Sequence, residues 1–277
     1  MPSPCNFFRN LREKASKMAE NIVKYKGKRA QKIKEIRCRQ METPKYRRIL
    51  LKISGEALAG DKKTGLDFPT LHSVAEAIGE CVRSGAQIGL VVGGGNFWRG
   101  VKNGEGRIER SRADQMGMLA TTMNALALCD VLEQHEIPAV VQTALDITRI
   151  SEAYNQVNAV HHLEQGTVVI FACGTGNPFF TTDTAAALRA LEIDADIMFK
   201  ATNVDGVYDK DPHKFEDAKK YDTLSFDEIL SHDLKVMDGT AASLCRDNSI
   251  PILVFNLDDP QNIVKAIKGE NVGTVVK

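Results

Sequence analysis

From Tyr46 to the C-terminus, short apolar runs alternate with longer stretches of helical period, and few folds accommodate that alternation. The runs are Arg48-Ile-Leu-Leu-Lys-Ile53, Gln87-Ile-Gly-Leu-Val-Val92, residues 139–143, Thr167-Val-Val-Ile-Phe-Ala172, and residues 197–201, 252–255 and 274–276. Each has the length and β-branched content of a buried strand. Between them, residues 68–83, 114–134, 151–165 and 184–191 repeat their apolar positions at helical spacing. Strands separated by helices predict an α/β fold with a mostly parallel sheet and helices on both faces. In such sheets ligands sit beyond the carboxyl ends of the strands. The rule singles out the segments after Ile53, Val92, Ala172 and Ala201.

Composition narrows the class further. The 277 residues contain no run of 18 or more apolar ones, so no membrane span is expected. The first ten residues lack the basic-then-apolar order of a secretory signal. Six cysteines stand at 5, 38, 81, 129, 173 and 245, without a CxxC pair, which argues against zinc and for free thiols in a reducing cytoplasm. Net charge is zero but uneven: residues 1–40 hold 12 Lys+Arg and 3 Asp+Glu, a surplus of +9 that the remainder balances with −9. The stretch 1–43 reads as a basic, poorly ordered extension, or as a start-site artefact with translation beginning at Met41. A role for it as an arm for RNA or other anions stays open. Residues 44–277 read as a single domain, with a charge balance that speaks against nucleic acid.

Each strand-end segment carries unusual chemistry. In Lys52-Ile-Ser-Gly55, a lysine inside an apolar strand either snorkels at an edge or meets an anion. Ser54 and Gly55 then supply a turn where backbone can approach phosphate. Gly93-Gly-Gly-Asn-Phe-Trp-Arg-Gly100 is either a tight turn or a backbone surface for a ligand, and Arg99 can clamp phosphate oxygens. It is neither the dinucleotide fingerprint nor a Walker motif. Gly174-Thr-Gly-Asn-Pro-Phe-Phe-Thr-Thr-Asp183 lies between a strand and a helix. Thr181, Thr182 and Asp183 are candidate N-caps, yet one cap needs only one of them. The surplus donors suit a ligand rich in acceptors, such as a pyrimidine base and a phosphate, and Asp183 can hold Mg²⁺ directly or through water. In Lys200-Ala-Thr-Asn-Val-Asp-Gly-Val-Tyr-Asp-Lys-Asp-Pro212, Asp205-Gly206 signals a hairpin turn and Tyr208 either packs on an adenine or fills the hairpin. Together these segments place a cation, phosphate turns, an arginine and an aspartate on one sheet edge, which is equipment for phosphoryl transfer.

The same segments, with Asp114-Gln-Met-Gly-Met-Leu-Ala-Thr121 and Leu234-Lys-Val-Met-Asp238, closely resemble the bacterial UMP kinases, a family of the amino-acid kinase superfamily, over residues 46–277. The resemblance implies an αβα sandwich and phosphorylation of UMP by ATP with Mg²⁺. It implies ATP contacts from Lys52, Ile53, Ser54, Gly55, Gly95, Arg99, Thr202, Asn203, Tyr208 and Asp211. It implies UMP contacts from Gly94, Asp114 (to the ribose), Thr175, Gly176, Asn177, Pro178, Phe179, Phe180, Thr181 and Thr182. Lys52 and Arg99 would act in the transfer, Asp183 at the metal and phosphates, and Asp238 in orienting the lysine. A homohexamer, GTP activation linked to residues 60–65, and UTP inhibition are also implied. Asp114 is expected to open its helix, where a carboxylate suits the dipole. Phe97-Trp98 departs from the family's aliphatic–aromatic pair but stays apolar. Cys173 is expected to be an inert packing residue, and His135, His161 and His162 to be surface or satisfied residues. The competing readings are a kinase for a carboxylate or carbamate, a nucleotide-storage protein of this fold, and an RNA-binding protein resting on the basic extension alone.

Overall fold

In the computed structural model, described for residues 43–277 except 100–107, 211, 213, 232, 233 and 235, the first apolar run is strand β1, Arg48–Ile53. A one-turn helix, α1 (Gly55–Ala59), follows at once, then a 3₁₀ turn at Gly60–Lys62. Helix α2 is Phe68–Arg83, capped by Asp67, whose carboxylate accepts from the Thr70 N–H. Strand β2 (Gln87–Val92), helix α3 (Arg110–Gln134), β3 (Ala139–Thr143), β4 (Glu152–Ala153), α4 (Gln156–Glu164) and β5 (Val168–Ala172) come next. Then follow α5 (Thr182–Glu192), β6 (Ile197–Thr202), β7 (Val207–Tyr208), β8 (Lys220–Tyr221), β9 (Thr223–Leu224) and α6 (Phe226–Ser231). The chain ends with α7 (Gly239–Asp247), β10 (Ile252–Asn256), α8 (Gln261–Lys268) and β11 (Gly273–Val276). The basic extension, Met41, Asp211 and Gly100 lie outside the described residues.

Nine strands form one sheet in the order β4-β3-β5-β2-β1-β6-β10-β11-β9, parallel except for the β10–β11 pair. The four strands whose ends were singled out, β5, β2, β1 and β6, are therefore the consecutive central ones. Their carboxyl-end loops must open side by side. The pleat divides the core into two layers. Ile49, Leu51 and Ile53 join Phe199, Ala201 and the buried faces of α2, α3 and α8. Leu50 joins Val91, Phe171, Met198 and Val254 beneath α4, α5 and α7. By the same alternation Lys52 and Lys200 share the second face, and the β1–β6 register sets them side by side.

Three sequence expectations are corrected. Residues 151–165 are not one helix: Glu152–Ala153 pairs with β3, and α4 starts only after Asn155, whose side chain caps it. The long helix begins at Arg110, so Asp114 lies in its second turn and does not open it. Asp205-Gly206 does not close a hairpin, because β7 follows it and pairs with β8 across a loop of eleven residues.

Candidate active site

The segments after β1 and β2 interlock through their glycines. A Cβ on Gly55 would sit 2.7 Å from the Gly93 carbonyl and 2.8 Å from the Gly95 nitrogen. A Cβ on Gly94 would lie 2.9 Å from the Gly117 carbonyl of α3. Close backbone approach therefore explains Gly55, Gly93 and Gly94, whereas at Gly95 a Cβ would meet only the Arg99 and Glu56 side chains, at 3.5 Å or more. A reciprocal amide pair holds this turn from below. Asn124 Nδ2 donates to the Gly93 carbonyl (2.6 Å) and to Asn96 Oδ1 (2.7 Å), and Asn96 Nδ2 donates back to Asn124 Oδ1 (2.9 Å) and to the Gly65 carbonyl (2.7 Å). Trp98 Nε1 donates to the Ala113 carbonyl at 2.8 Å, which ties the turn to the start of α3. Ser54 accepts from the Ala57 N–H (3.2 Å) as the cap of α1, and Arg99 pairs with Glu56.

At the centre, Asp183 projects from the first turn of α5 onto the sheet face that carries both lysines. Lys52 Nζ is 2.8 Å from its Oδ1, and Lys200 Nζ donates to its Oδ2. The three side chains are 10–14% exposed. Burial pushes the Asp183 carboxyl up, but the two ammonium groups outweigh that and hold it below the usual carboxylate range. Burial pushes the Lys200 ammonium down, Asp183 restores part of the loss, and Lys52 adds to the depression. One carboxylate between two ammonium ions leaves this pocket with a surplus positive charge, which an incoming phosphoryl group would neutralise. Lys200 was not singled out from sequence as a catalytic candidate, although it has the signature used for Lys52: a lysine inside an apolar strand.

The third segment, which runs up to Asp183, walls a cleft of about 150 Å³. Gly94 and Trp98 form one side, Asp114, Gly117, Met118 and Thr121 of α3 the floor, and Gly174, Thr175, Asn177, Phe180, Thr181 and Thr182 the other side. The chain enters it through Cys173, whose φ is +64°. Two α3 hydroxyls stabilise that conformation: Thr121 Oγ1 accepts from the Cys173 N–H at 2.8 Å, and Thr122 Oγ1 lies 3.1 Å from the buried Sγ. Part of the donor surplus is spent locally, since Thr175 Oγ1 accepts from the Asn177 N–H (3.2 Å) and Thr181 caps α5 through the amides of Asp183 and Thr184. Pro178 and Phe179 form the outer tip, and the Phe179 N–H donates to Asp114 Oδ2 at 2.8 Å.

Asp238 lies on the far side of the cluster. It caps α7 through the Ala241 N–H (2.9 Å) and accepts from the hydroxyls of Thr181 and Thr184. It thus joins the amino ends of α5 and α7, while the carboxylate in contact with the lysines is Asp183. Its field still reaches Lys200, whose charged form it favours. Thr202 Oγ1 accepts from the Val204 N–H (3.2 Å) and faces Asn203 Oδ1 (3.2 Å) at the end of β6. Tyr208 stands in the β7–β8 ribbon with its hydroxyl donated to Asp205 Oδ1 at 2.6 Å.

As a metal holder, the cluster offers one carboxylate with both oxygens facing ammonium groups, and no group of three His, Cys, Asp or Glu suited to an ion exists among the described residues. That donor set does not suit an ion caged by protein. Asp183 is the one carboxylate of the cluster that could face an ion brought in with a ligand, through water.

The model for the amino acid kinase family matches residues 47–256. The chain is similar to the crystal structure of UMP kinase from Bacillus anthracis at 37% identity, covering 84% of this chain and 96% of that one with a TM-score of 0.81. It is similar to UMP kinase from Ureaplasma parvum at 39% identity, with 83% and 98% covered and a TM-score of 0.79. It is similar to uridylate kinase from Archaeoglobus fulgidus at 31% identity, with 83% and 99% covered and a TM-score of 0.64.

Proposed function

Because the chain belongs to the amino acid kinase family, we propose that it transfers the terminal phosphoryl group of ATP to UMP, giving ADP and UDP. The observation that carries this reading is the Lys52–Asp183–Lys200 cluster at the junction of the glycine turns and the Thr-rich cleft. The acceptor nucleotide occupies the cleft, with Asp114 on its ribose hydroxyls and Thr175, Asn177, Thr181 and Thr182 on base and phosphate. The donor lies over Ser54, Gly55, Gly95 and Arg99, with its adenosine toward Thr202, Asn203 and Tyr208. An oxygen of the UMP phosphate attacks the terminal phosphorus of ATP, and the bond to the bridging oxygen of ADP breaks in line. Lys52 and Lys200 neutralise charge on the equatorial and leaving oxygens as it develops, and Asp183 keeps both ammonium groups aimed. Asp238 supports the cluster from behind by fixing the first turn of α5. Mg²⁺ supplies further charge neutralisation on the phosphates when bound.

The reading extends to assembly and regulation. We assign a homohexamer, and its support in this chain is a row of exposed apolar side chains on α3: Met116, Leu119, Met123 and Leu126. Arg112 and Asp130 flank the row and are both exposed. Two antiparallel copies of α3 would set Arg112 against Asp130, Met116 against Leu126, and Leu119 against Met123. UTP inhibition at the cleft and GTP activation through residues 60–65 belong to the same proposal. So does a cytoplasmic location, supported by the four free thiols among the described residues. No described helix is long and apolar enough to cross a membrane.

The test is ADP release with ATP, Mg²⁺ and, separately, UMP, CMP, dTMP, aspartate, glutamate and carbamate. Turnover with UMP alone is the expected outcome. Turnover with an acid instead would reassign the acceptor, and ATP binding without any turnover would overturn the enzymatic reading.

A further inference from the structure

Arg110 occupies a position that helix electrostatics disfavours. It is the first residue of α3, whose first turn holds no acidic side chain, and a cation there opposes the positive end of the dipole. Glu109 before it, at the N-cap, makes no side-chain cap bond, and the carboxylate that Arg110 pairs with lies one turn on. Arg110 Nε donates to both oxygens of Asp114, at 2.9 and 2.8 Å. Asp114 Oδ2 also accepts from the Phe179 N–H. The Arg110 guanidinium in turn stands 5.4 Å over the centroid of the Phe179 ring. Phe179 needs that support. Its φ is +73°, uncommon for a residue with a side chain, and the residue is 65% exposed. Pro178 before it has no N–H to donate, so at the loop tip the Phe179 amide is what bonds back to α3.

We propose that Arg110 is the positioning residue of the acceptor cleft. It holds the Asp114 carboxylate and the Phe179 tip as one unit, and so sets how tightly and how selectively the ribose is held. The chemical step stays with the lysine cluster. The inference rests on the proposed reading of Asp114 as a ribose contact. Asp114 is only 15% exposed, so without Arg110 its carboxylate would keep its acceptor capacity but lose its orientation.

The experiment compares UMP and dUMP in steady-state kinetics for wild type, Arg110→Ala, Arg110→Lys and Asp114→Asn, with melting temperatures alongside. Loss of hydrogen bonds to a charged partner predicts a rise of about tenfold in KM for UMP in Arg110→Ala, with kcat changed less than about threefold. The preference for UMP over dUMP should shrink in parallel. Arg110→Lys keeps the charge but not the planar group over Phe179, and should fall between. It also serves if the alanine variant does not fold. If Asp114→Asn loses the ribose preference while both Arg110 variants keep wild-type KM and preference, the positioning role is overturned. If Asp114→Asn itself leaves the preference intact, the ribose reading of the cleft fails instead, and the inference with it.

Discussion

Replacing Lys200 by methionine should separate stability from activity. In the wild type, two ammonium groups share one carboxylate, so each attraction to Asp183 is offset in part by Lys52–Lys200 repulsion. At an effective dielectric constant near 20, unit charges about 4 Å apart interact by about 4 kcal/mol. Lys200→Met removes the attractions to Asp183 and, more weakly, to Asp238 together with the repulsion from Lys52, and it recovers the cost of desolvating a side chain that is 11% exposed. Folding stability should therefore hold or rise by about 1 kcal/mol, a shift of roughly 2–4 °C in Tm. Activity should move the other way. The cluster falls from a surplus positive charge to neutrality, and a phosphoryl oxygen about 4 Å away loses roughly 4 kcal/mol of stabilisation in the transition state. If half of that is lost in the ground state too, kcat falls about 30-fold, and if none is, about 1,000-fold. The folded pKa of Lys200 lies below its unfolded 10.5, so between the two the unfolded chain binds more protons. Wild-type stability should gain on that of Lys200→Met as pH rises toward 10.5. Thermal melts from neutral to alkaline pH, with kcat from ADP release, measure both. A variant that melts several degrees lower while keeping kcat within about threefold would refute the charge-surplus argument.

Further perturbations follow from other contacts. Asp183→Asn leaves two buried ammonium groups with no carboxylate between them and should cost about 3–5 kcal/mol in denaturant titrations at neutral pH. Its folded pKa lies below the usual 3.8, so the wild-type contribution is present above pH 3.8 and lost as pH falls through the lower folded value; the variant's acid-unfolding curve should lack that component. Asn124→Leu strands Asn96 and the Gly93 carbonyl in a buried place and should destabilise by about 1–3 kcal/mol in the same titration. Gly55→Ala drives a Cβ into the Gly93–Asn96 turn and should raise KM for ATP by about tenfold or more, since both glycine turns must shift. Leu119→Glu with Met123→Glu should give a smaller species in sedimentation velocity, because like charges would face each other across paired α3 helices.

Much of the architecture was legible because period and strand length agree. Phe68–Arg83 and Gln87–Val92 stand where their patterns placed them. The interpretable failures are tertiary. Glu152–Ala153 is a strand only because β3 offers it an edge, which no local propensity announces. The helix at Arg110 starts early because an i,i+4 pair with Asp114 sustains a polar first turn outside the apolar pattern. At the site, the glycines and threonines were visible as anomalies, but their division of labour was not. Thr181 alone takes the cap of α5, and of the three glycines Gly94 alone is the one where a Cβ would meet α3. Lys200 is inconspicuous as a catalytic candidate in the sequence because its strand runs directly into a turn motif with its own signature. Asn124 is inconspicuous because one polar residue within a long apolar helix reads as noise until its amide partner is seen.

Helix α3 serves several parts of this arrangement at once. Its first turns anchor the loop tip, its middle floors the cleft and braces Cys173, and its outer face carries the exposed apolar row. If copies of the chain join through that row, nucleotide occupancy and assembly become linked variables. Any factor by which association tightens the cleft is the factor by which nucleotide tightens association. Dilution would then act as an effector in its own right, and apparent affinity would depend on the concentration of the protein as well as that of its ligand.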